Sequence, residues 1–255
     1  MTGSGHAEHR RLGALRAQEV RRLDAAAAEA GLPLEVLMET AGWQLARTAW
    51  RLLGRAPGPV LVCAGRGNNG GDALVMARQL AGWGCAVTVL LVGAPHPGPL
   101  VTEQRRRLRA SAPSATLIEV DDAAPLAVGA PLAARLAEAR LVVDGLLGSG
   151  LRGAPRDLDA AVIAALRHPR ILSVDVPSGL DVDSGTAAGA CVSAHTTCTL
   201  TAMKRGLWGA RARAHTGALL VADIGIPAVA WARAGLEQPS AVRGGALLRV
   251  AAVLD

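Results

Sequence analysis

The chain has no tyrosine and no phenylalanine; its aromatic content is five tryptophans, 2% of 255 residues. Proteins that hold single-stranded nucleic acid by stacking bases on rings need more platforms than that, so this mode of binding is disfavoured. Charged residues are also scarce, at 19% against 51% apolar, a balance that permits a sizeable core and argues against disorder. The formal net charge is +6. It comes mostly from short arginine groups spread along the chain: Arg21 with Arg22, Arg105 to Arg107 with Arg109, and Arg211 with Arg213. Such groups fit solvated helix faces and the attraction of an anionic substrate better than a nucleic-acid surface. Cysteine is limited to Cys63, Cys85, Cys191 and Cys198, without the close pairing of a zinc site or a disulfide framework. Cys63 and Cys85 fall in apolar runs and read as free buried thiols. No stretch has the length and apolarity of a membrane span, and the polar N-terminus lacks a signal-peptide core. A cytoplasmic protein with no membrane partner is expected.

What the chain does have is concentrated in residues 60–81, VLVCAGRGNNGGDALVMARQLA. Val60 to Cys63 are apolar without alternation, the pattern of a strand buried on both faces. Gly65, Gly67, Gly70 and Gly71 follow, residues that accept backbone angles closed to other side chains and let a ligand approach the main chain. Asn68, Asn69 and Asp72 supply polar groups, and a helix is expected from near Asp72. A strand, a polar glycine turn and a helix N-terminus together make a seat for an anion or small ligand.

Three segments are expected: a flexible N-terminal stretch over 1–15, a single α/β domain over 16–235, and a C-terminal extension over 236–255, packed on the domain or trailing it. Within the domain, Arg16 to Ala30 reads as an alanine-rich helix stopped by Gly31. A second helix follows Pro33, with Leu34, Leu37, Met38, Ala41, Leu45, Ala49 and Leu52 at helical spacing. Buried strands are expected at 60–64, 85–92, 116–120, 139–145, 171–175, 194–201 and 218–223. Helical segments are expected at 102–110, 124–139, 157–167 and 228–235. This alternation indicates a mostly parallel central sheet with helices on both faces.

The loops 65–72, 144–154 and 175–185 follow strands of that sheet. Loops at the carboxyl ends of neighbouring parallel strands converge where the strand order reverses, so Asp72, Asp144 and Asp175 are candidates to line one crevice. G-x-G-x-x-G occurs at Gly65–Gly67–Gly70 and again at Gly148–Gly150–Gly153. A dinucleotide-binding redox fold would place an acidic residue about 20 residues on, and 85–93 contains none. The Lys-Ser or Lys-Thr ending of a phosphate loop is missing too. Ser178 is not in a nucleophile elbow, and Asp181 and Asp183 match no calcium loop. His195 and His215 have no evident catalytic partner and read as structural or surface groups. Lys204 either binds phosphate, orients a carboxylate or is solvated.

GRGNNGGDALVMARQL, LVVDGLLGSGLRG and SVDVPSGLDVDSG, with METAG upstream and MKRGL downstream, resemble the YjeF N-terminal domain, the NAD(P)H-hydrate epimerase family. The resemblance covers about residues 15–230. It implies a Rossmann-like three-layer α/β/α sandwich and, commonly, a homodimer. The implied activity is epimerisation of the R and S forms of hydrated NADH and NADPH at C6 of the nicotinamide ring, so that a dehydratase specific for one form can restore the cofactor. Coupling to a separate or fused dehydratase is therefore implied. The length of this chain leaves no room for one, so a separate protein or an excised domain is expected. By motif, Asn68, Asn69, Gly70, Gly71 and Asp72 are expected to contact the hydrated dinucleotide, as are Gly148, Ser149, Gly150, Leu151, Arg152, Gly153 and Ala154, with Asp175 beside the reacting ring. A potassium ion is implied at Asn69, Asp144 and Ser178, whose oxygens suit a hard monovalent cation better than zinc.

The chemistry asks for a carboxyl that alternates between acid and base as hydroxyl leaves C6 and water returns. Asp175 is the first candidate and Asp72 the second; ring opening and reclosure would reach the same inversion. The chain departs from the family pattern at Arg66, Ala73 and Arg205, where a small residue or proline, a glycine and a proline are common. Arg66 is a candidate for pyrophosphate attraction, Ala73 for narrowing the seat, and Arg205 for altering the far wall. Alternatives to the epimerase are a catalytically silent dimeric scaffold, or an enzyme using the pocket for another phosphorylated small molecule.

Overall fold

The computed structural model describes residues 12–93, 97–126, 130–241 and 243–250. Of the flexible segment expected over 1–15, residues 1–11 lie outside the described residues, as do residues 251–255 of the C-terminal extension expected over 236–255. Two helices, α1 (Ala17–Glu29) and α2 (Leu34–Leu52), precede the first strand. The chain then runs β1 (Pro59–Ala64), α3 (Asn68–Gly82), β2 (Ala86–Val92), α4 (Pro99–Ser111), β3 (Thr116–Val120), α5 (Pro131–Glu138) and β4 (Leu141–Gly145). It continues α6 (Asp157–Ala165), β5 (Ile171–Val174), β6 (Thr196–Leu200), α7 (Ala210–Thr216), β7 (Ala218–Ala222), α8 (Ala228–Arg233) and β8 (Leu247–Arg249).

These strands form one eight-stranded sheet in the order β3-β2-β1-β4-β5-β6-β7-β8. Every pair is parallel except β7 with β8. The unbroken apolar runs have their explanation in the two faces of this sheet. Val60, Val62 and Ala64 pack into the core beneath α1, α2, α3 and α8, while Leu61 and Cys63 pack into the opposite core beneath α5 and α6. β2 and β4 divide in the same way: Val87, Val89, Leu91, Leu141 and Val143 face one side, and Leu90, Val92 and Val142 the other. Each valine or leucine among them stabilises the fold by roughly 1.5–3 kcal/mol relative to its exposed state. The fold is thus the expected α/β/α sandwich. Among the described residues no helix is long and apolar enough to cross a membrane.

The glycine-rich turn differs from expectation. α3 begins at Asn68, so NNGGD is its first turn; Gly70 N–H and Gly71 N–H both bond back to Gly67 O. None of Gly65, Gly67, Gly70 and Gly71 has positive φ, so these glycines are not there for unusual backbone angles. At Gly70 and Gly71 the requirement is close approach. A Cβ on Gly70 would sit 2.1 Å from Gly65 O, and one on Gly71 2.6 Å from Met38 Sδ. Ala73 likewise packs its methyl on Gly145, where a Cβ would lie 2.5 Å away.

α7 and β8 were not expected. The turn before β8 is held by Asp223, whose Oδ2 accepts from Gly245 N at 2.8 Å. N-terminal to α1, residues 12–15 run against the segment after β6: Met203 N donates to Leu12 O, Leu15 N to Met203 O, and Arg205 N to Leu15 O. Proline at 205 would lack that last donor, so the arginine serves this attachment through its backbone.

Candidate active site

The strand order reverses at β1, which lies between β2 and β4. Ligands of open parallel sheets bind beyond the carboxyl ends of strands at such a point, and the main cavity opens there. Its volume is about 470 Å³, and its walls come from α1, α2, the first turn of α3, and the loops after β1, β4, β5 and β6. Of the residues expected at the substrate, Asn68, Asn69, Asp72, Gly148, Ser149, Gly150, Leu151 and Asp175 line it. Gly70 and Gly71 do not; they are spacers inside the helix turn. Arg152 and Ala154 face a neighbouring cavity that shares Arg66, Leu147, Leu151 and Asp159 with the main one, and Gly153 lines neither. Arg66 stands between the two, its guanidinium 3.2 Å from Asp159.

Asp175 follows β5 with φ +63, in the left-handed region. Thr201, after β6, has φ +69, and both line the cavity. Left-handed backbone in non-glycine residues is costly and collects at functional sites. The carboxylate of Asp175 accepts through Oδ1 from Thr199 Oγ1 at 3.1 Å, Leu200 N at 3.0 Å and Lys204 Nζ at 2.5 Å. Lys204 is 1% exposed and also donates to Leu200 O. Of the roles open to this lysine, orienting the carboxylate is the one observed.

Asp72 is buried on the first turn of α3, and among the described residues no hydrogen bond reaches its carboxyl. Burial raises its pKa well above the usual carboxylate value, and the carboxylates of Asp175 and Asp24 raise it further, against the opposing charge of Lys204. Asp24, in the middle of α1, was not anticipated. It lines the same cavity, and burial pushes its pKa up to about 6, eased by Lys204 and reinforced by Asp175. The signal was present: Val20, Leu23, Asp24 and Ala27 share the inward stripe of α1.

Asp144 lies behind the cavity, fully buried at the end of β4. Its carboxylate accepts from Ser173 Oγ at 2.8 Å, Ser178 N at 2.9 Å and Ser178 Oγ at 2.5 Å. Burial raises its pKa, and these bonds oppose the rise. Leu147 N donates to Ser178 Oγ at 2.9 Å, and Leu147 O accepts from Asn69 Nδ2 at 3.0 Å. Asn69, Ser178 and Asp144 are thus linked through one loop. Their carboxylate, hydroxyl and amide oxygens, around a buried negative charge, are a donor set that fits a hard monovalent cation. No group of three or more His, Cys, Asp or Glu that could hold a metal occurs among the described residues.

His195 and His215 bond to Thr196 Oγ1 and Val192 O, outside the cavity. Asp183 accepts from Ala17 N at 2.7 Å and so holds the start of α1. All four cysteines are free; burial pushes the Cys191 and Cys198 thiols up to about 12, which makes them poor nucleophiles.

Residues 34–206 match the family described as YjeF-related protein N-terminus. The chain belongs to that family. Among curated relatives of this YjeF-type domain, the bifunctional NAD(P)H-hydrate repair enzyme Nnr of Coxiella burnetii is 39% identical over 216 residues, with 82% of this chain and 41% of that protein covered. The chain therefore spans less than half the length of that relative. The NAD(P)H-hydrate epimerase of Pirellula staleyi is 38% identical over 212 residues, 81% of this chain and 87% of that protein. The one from Microbacterium testaceum is 38% identical over 223 residues, covering 85% and 80%. In three dimensions the domain is similar to the crystal structure of yeast ynu0, YNL200c, with a TM-score of 0.75 at 23% identity, covering 94% of this chain and all of that one; at that identity the likeness speaks for the fold.

Proposed function

We propose that this chain interconverts the R and S forms of hydrated NADH and NADPH at C6 of the reduced nicotinamide ring, the activity for which its relatives from Pirellula staleyi and Microbacterium testaceum are named. One observation carries the reading. A single cavity at the strand-order switch holds a buried carboxyl pushed toward its protonated form, Asp72, and a carboxylate fixed by a buried ammonium, Asp175 with Lys204. C6 bears a hydroxyl and is bonded to the ring nitrogen. Asp72 gives its proton to the departing hydroxyl, which leaves as water while the nitrogen lone pair forms the C=N bond of a planar iminium. Water adds to the other face, gives up a proton to a carboxylate, and the centre is inverted. Asp175 supplies a fixed negative charge for the cationic intermediate. Its three donors on one oxygen favour that electrostatic role over proton shuttling, so the first acid is assigned to Asp72.

Asn68, Asn69, Gly148, Ser149, Gly150 and Leu151 would hold the dinucleotide, with Arg66 and Arg152 toward its phosphates. A potassium ion held by Asn69, Asp144 and Ser178 would brace the loops after β1, β4 and β5 by offsetting the buried Asp144 charge. Residues 16–235 form the epimerase unit of this reading, a cytoplasmic homodimer that passes its product epimer to a dehydratase; the longer bifunctional relatives support that coupling. The test is to supply separated R or S hydrate of NADH and follow the epimer ratio by chromatography in potassium and in sodium. Acceleration over the uncatalysed rate is expected, and its absence in folded protein would sink the reading.

A further inference from the structure

Inversion through a planar intermediate sets a stereochemical demand. The proton reaches the leaving group on one face, whereas the incoming water loses its proton on the other, so two groups on different walls serve better than one. Asp175 is tied by hydrogen bonds to Thr199, Leu200 and Lys204. Asp72 and Asp24 are different: both line the cavity, and among the described residues neither carboxyl accepts a hydrogen bond. They project from separate helices, Asp72 from the first turn of α3 and Asp24 from the middle of α1.

α1 is anchored at its N-terminal end by two sets of bonds. Residues 12–15 are bonded to 203–205, the segment that carries Lys204, and Asp183 accepts from Ala17 N. Leu23, Ala26 and Ala27 are buried in the core beside Asp24. The chain leading into α1 is thus bonded to the same segment that carries Lys204, while the core contacts of Leu23, Ala26 and Ala27 fix the turn that bears Asp24.

We propose that Asp24 is a second proton-transfer group of this cavity, paired with Asp72 so that one carboxyl protonates the departing hydroxyl and the other receives the proton of water returning on the opposite face. The inference rests on the epimerase reading. One turnover moves a proton from Asp72 to Asp24, and the reverse epimerisation moves it back. Between turnovers in one direction the proton returns between the carboxyls or through water at the cavity mouth, so no co-reactant is needed. The charged groups that line the cavity with Asp24 are Arg21 on its own helix, Arg66 after β1, Asp159 on α6, Asp72, Asp175 and Lys204, and of these Lys204 and Asp175 act on its titration. Three carboxyls around a single buried ammonium do not all ionise readily, so the cavity retains a proton. Burial with Asp175 lifts Asp24 to about 6, where it exchanges a proton readily near neutrality.

The experiment compares Asp24→Asn and Asp24→Glu with wild type, starting separately from R and S hydrates of NADH, from pH 5 to 9. Asp24→Asn is expected to lose about 100-fold in kcat with little change in KM, and to lose one limb of the pH profile. Asp24→Glu should restore most of the rate. In parallel, isotope-edited infrared titration of Asp24 is compared in wild type and Asp72→Asn; its midpoint should fall when Asp72 is removed. Unchanged kcat and pH profile in folded Asp24→Asn, beside an active wild type, would overturn the proposal and leave the epimerase reading standing. An Asp24 titration indifferent to Asp72 would overturn it too, even if Asp24→Asn failed to fold. An inactive wild type would remove both readings together.

Discussion

Replacing Lys204 by methionine tests the electrostatic frame of the cavity, because the side chain keeps its volume and loses its charge. The ammonium and the Asp175 carboxylate are 2.5 Å apart, with Lys204 1% and Asp175 8% exposed. At an effective dielectric of about 20, unit charges at that separation attract by roughly 7 kcal/mol, most of which offsets their removal from water. Losing one partner leaves the other charge buried and uncompensated, and the expected penalty is about 3–5 kcal/mol. That is a large fraction of the roughly 5–15 kcal/mol that holds a typical domain together. Asp24 and Asp72 both lose a positive neighbour that lowers their pKa, so the damage should grow as pH rises and the three carboxyls compete to ionise. The assay is urea unfolding of wild type, Lys204→Met, Asp175→Asn and the double variant at pH 5 and pH 8. The double variant should be less damaged than the sum of the singles, with a coupling energy of about 2–3 kcal/mol. Strict additivity, or a loss below about 1 kcal/mol in Lys204→Met, would refute the idea that the lysine is there to hold Asp175.

Asp72 keeps its proton in the folded chain at pH values where the unfolded chain has released it. Its protonated form therefore gives full stability below the ordinary 3.8, and that stability drains away as pH rises through the elevated value. Asp72→Asn should flatten this slope and exceed wild-type stability at pH 8, while epimerisation falls about 100-fold or further. Gly70→Ala drives a methyl into the rigid Gly65 carbonyl and should destabilise by about 3 kcal/mol, whereas Gly71→Ala meets the flexible end of Met38 and should cost about 1–2 kcal/mol in the same unfolding assay. Potassium, compared with sodium, should stabilise wild type by about 1.4 kcal/mol at ten times its dissociation constant, read as a higher melting temperature. Asp144→Asn should abolish that difference.

The sheet was legible because its strands are buried on both faces. Runs such as Val60 to Ala64 and Val87 to Val92 can be solvated on neither side, and glycine or proline closes each of them. The convergence of Asp72 and Asp175 followed from parallel topology alone. β8 escaped notice because three residues, Leu247–Arg249, carry no periodicity, and their pairing depends on Asp223 holding a distant turn. The glycine turn was recognised but misread, since sequence does not distinguish a glycine needed for backbone angle from one needed for contact with Gly65 or Met38. Asp24 was hidden by its surroundings: an aspartate among arginines and alanines looks solvated, and only its place on the inward stripe of α1 says otherwise. Lys204 was ambiguous because its partner, Asp175, sits in the loop after a different strand.

The attachment of residues 12–15 to residues 203–205 has a consequence for how the molecule comes together. These contacts join the beginning of the described chain to a segment almost two hundred positions later, and ring closures of that length are slow and entropically demanding. On a ribosome, α1 emerges long before the strand end it must dock on. The sheet from β1 to β5 can be assembled while α1 is still unanchored, so the wall bearing Asp24 is set only after the segment beyond β6 has been made, and a nascent chain has most of its sheet before it has its cavity.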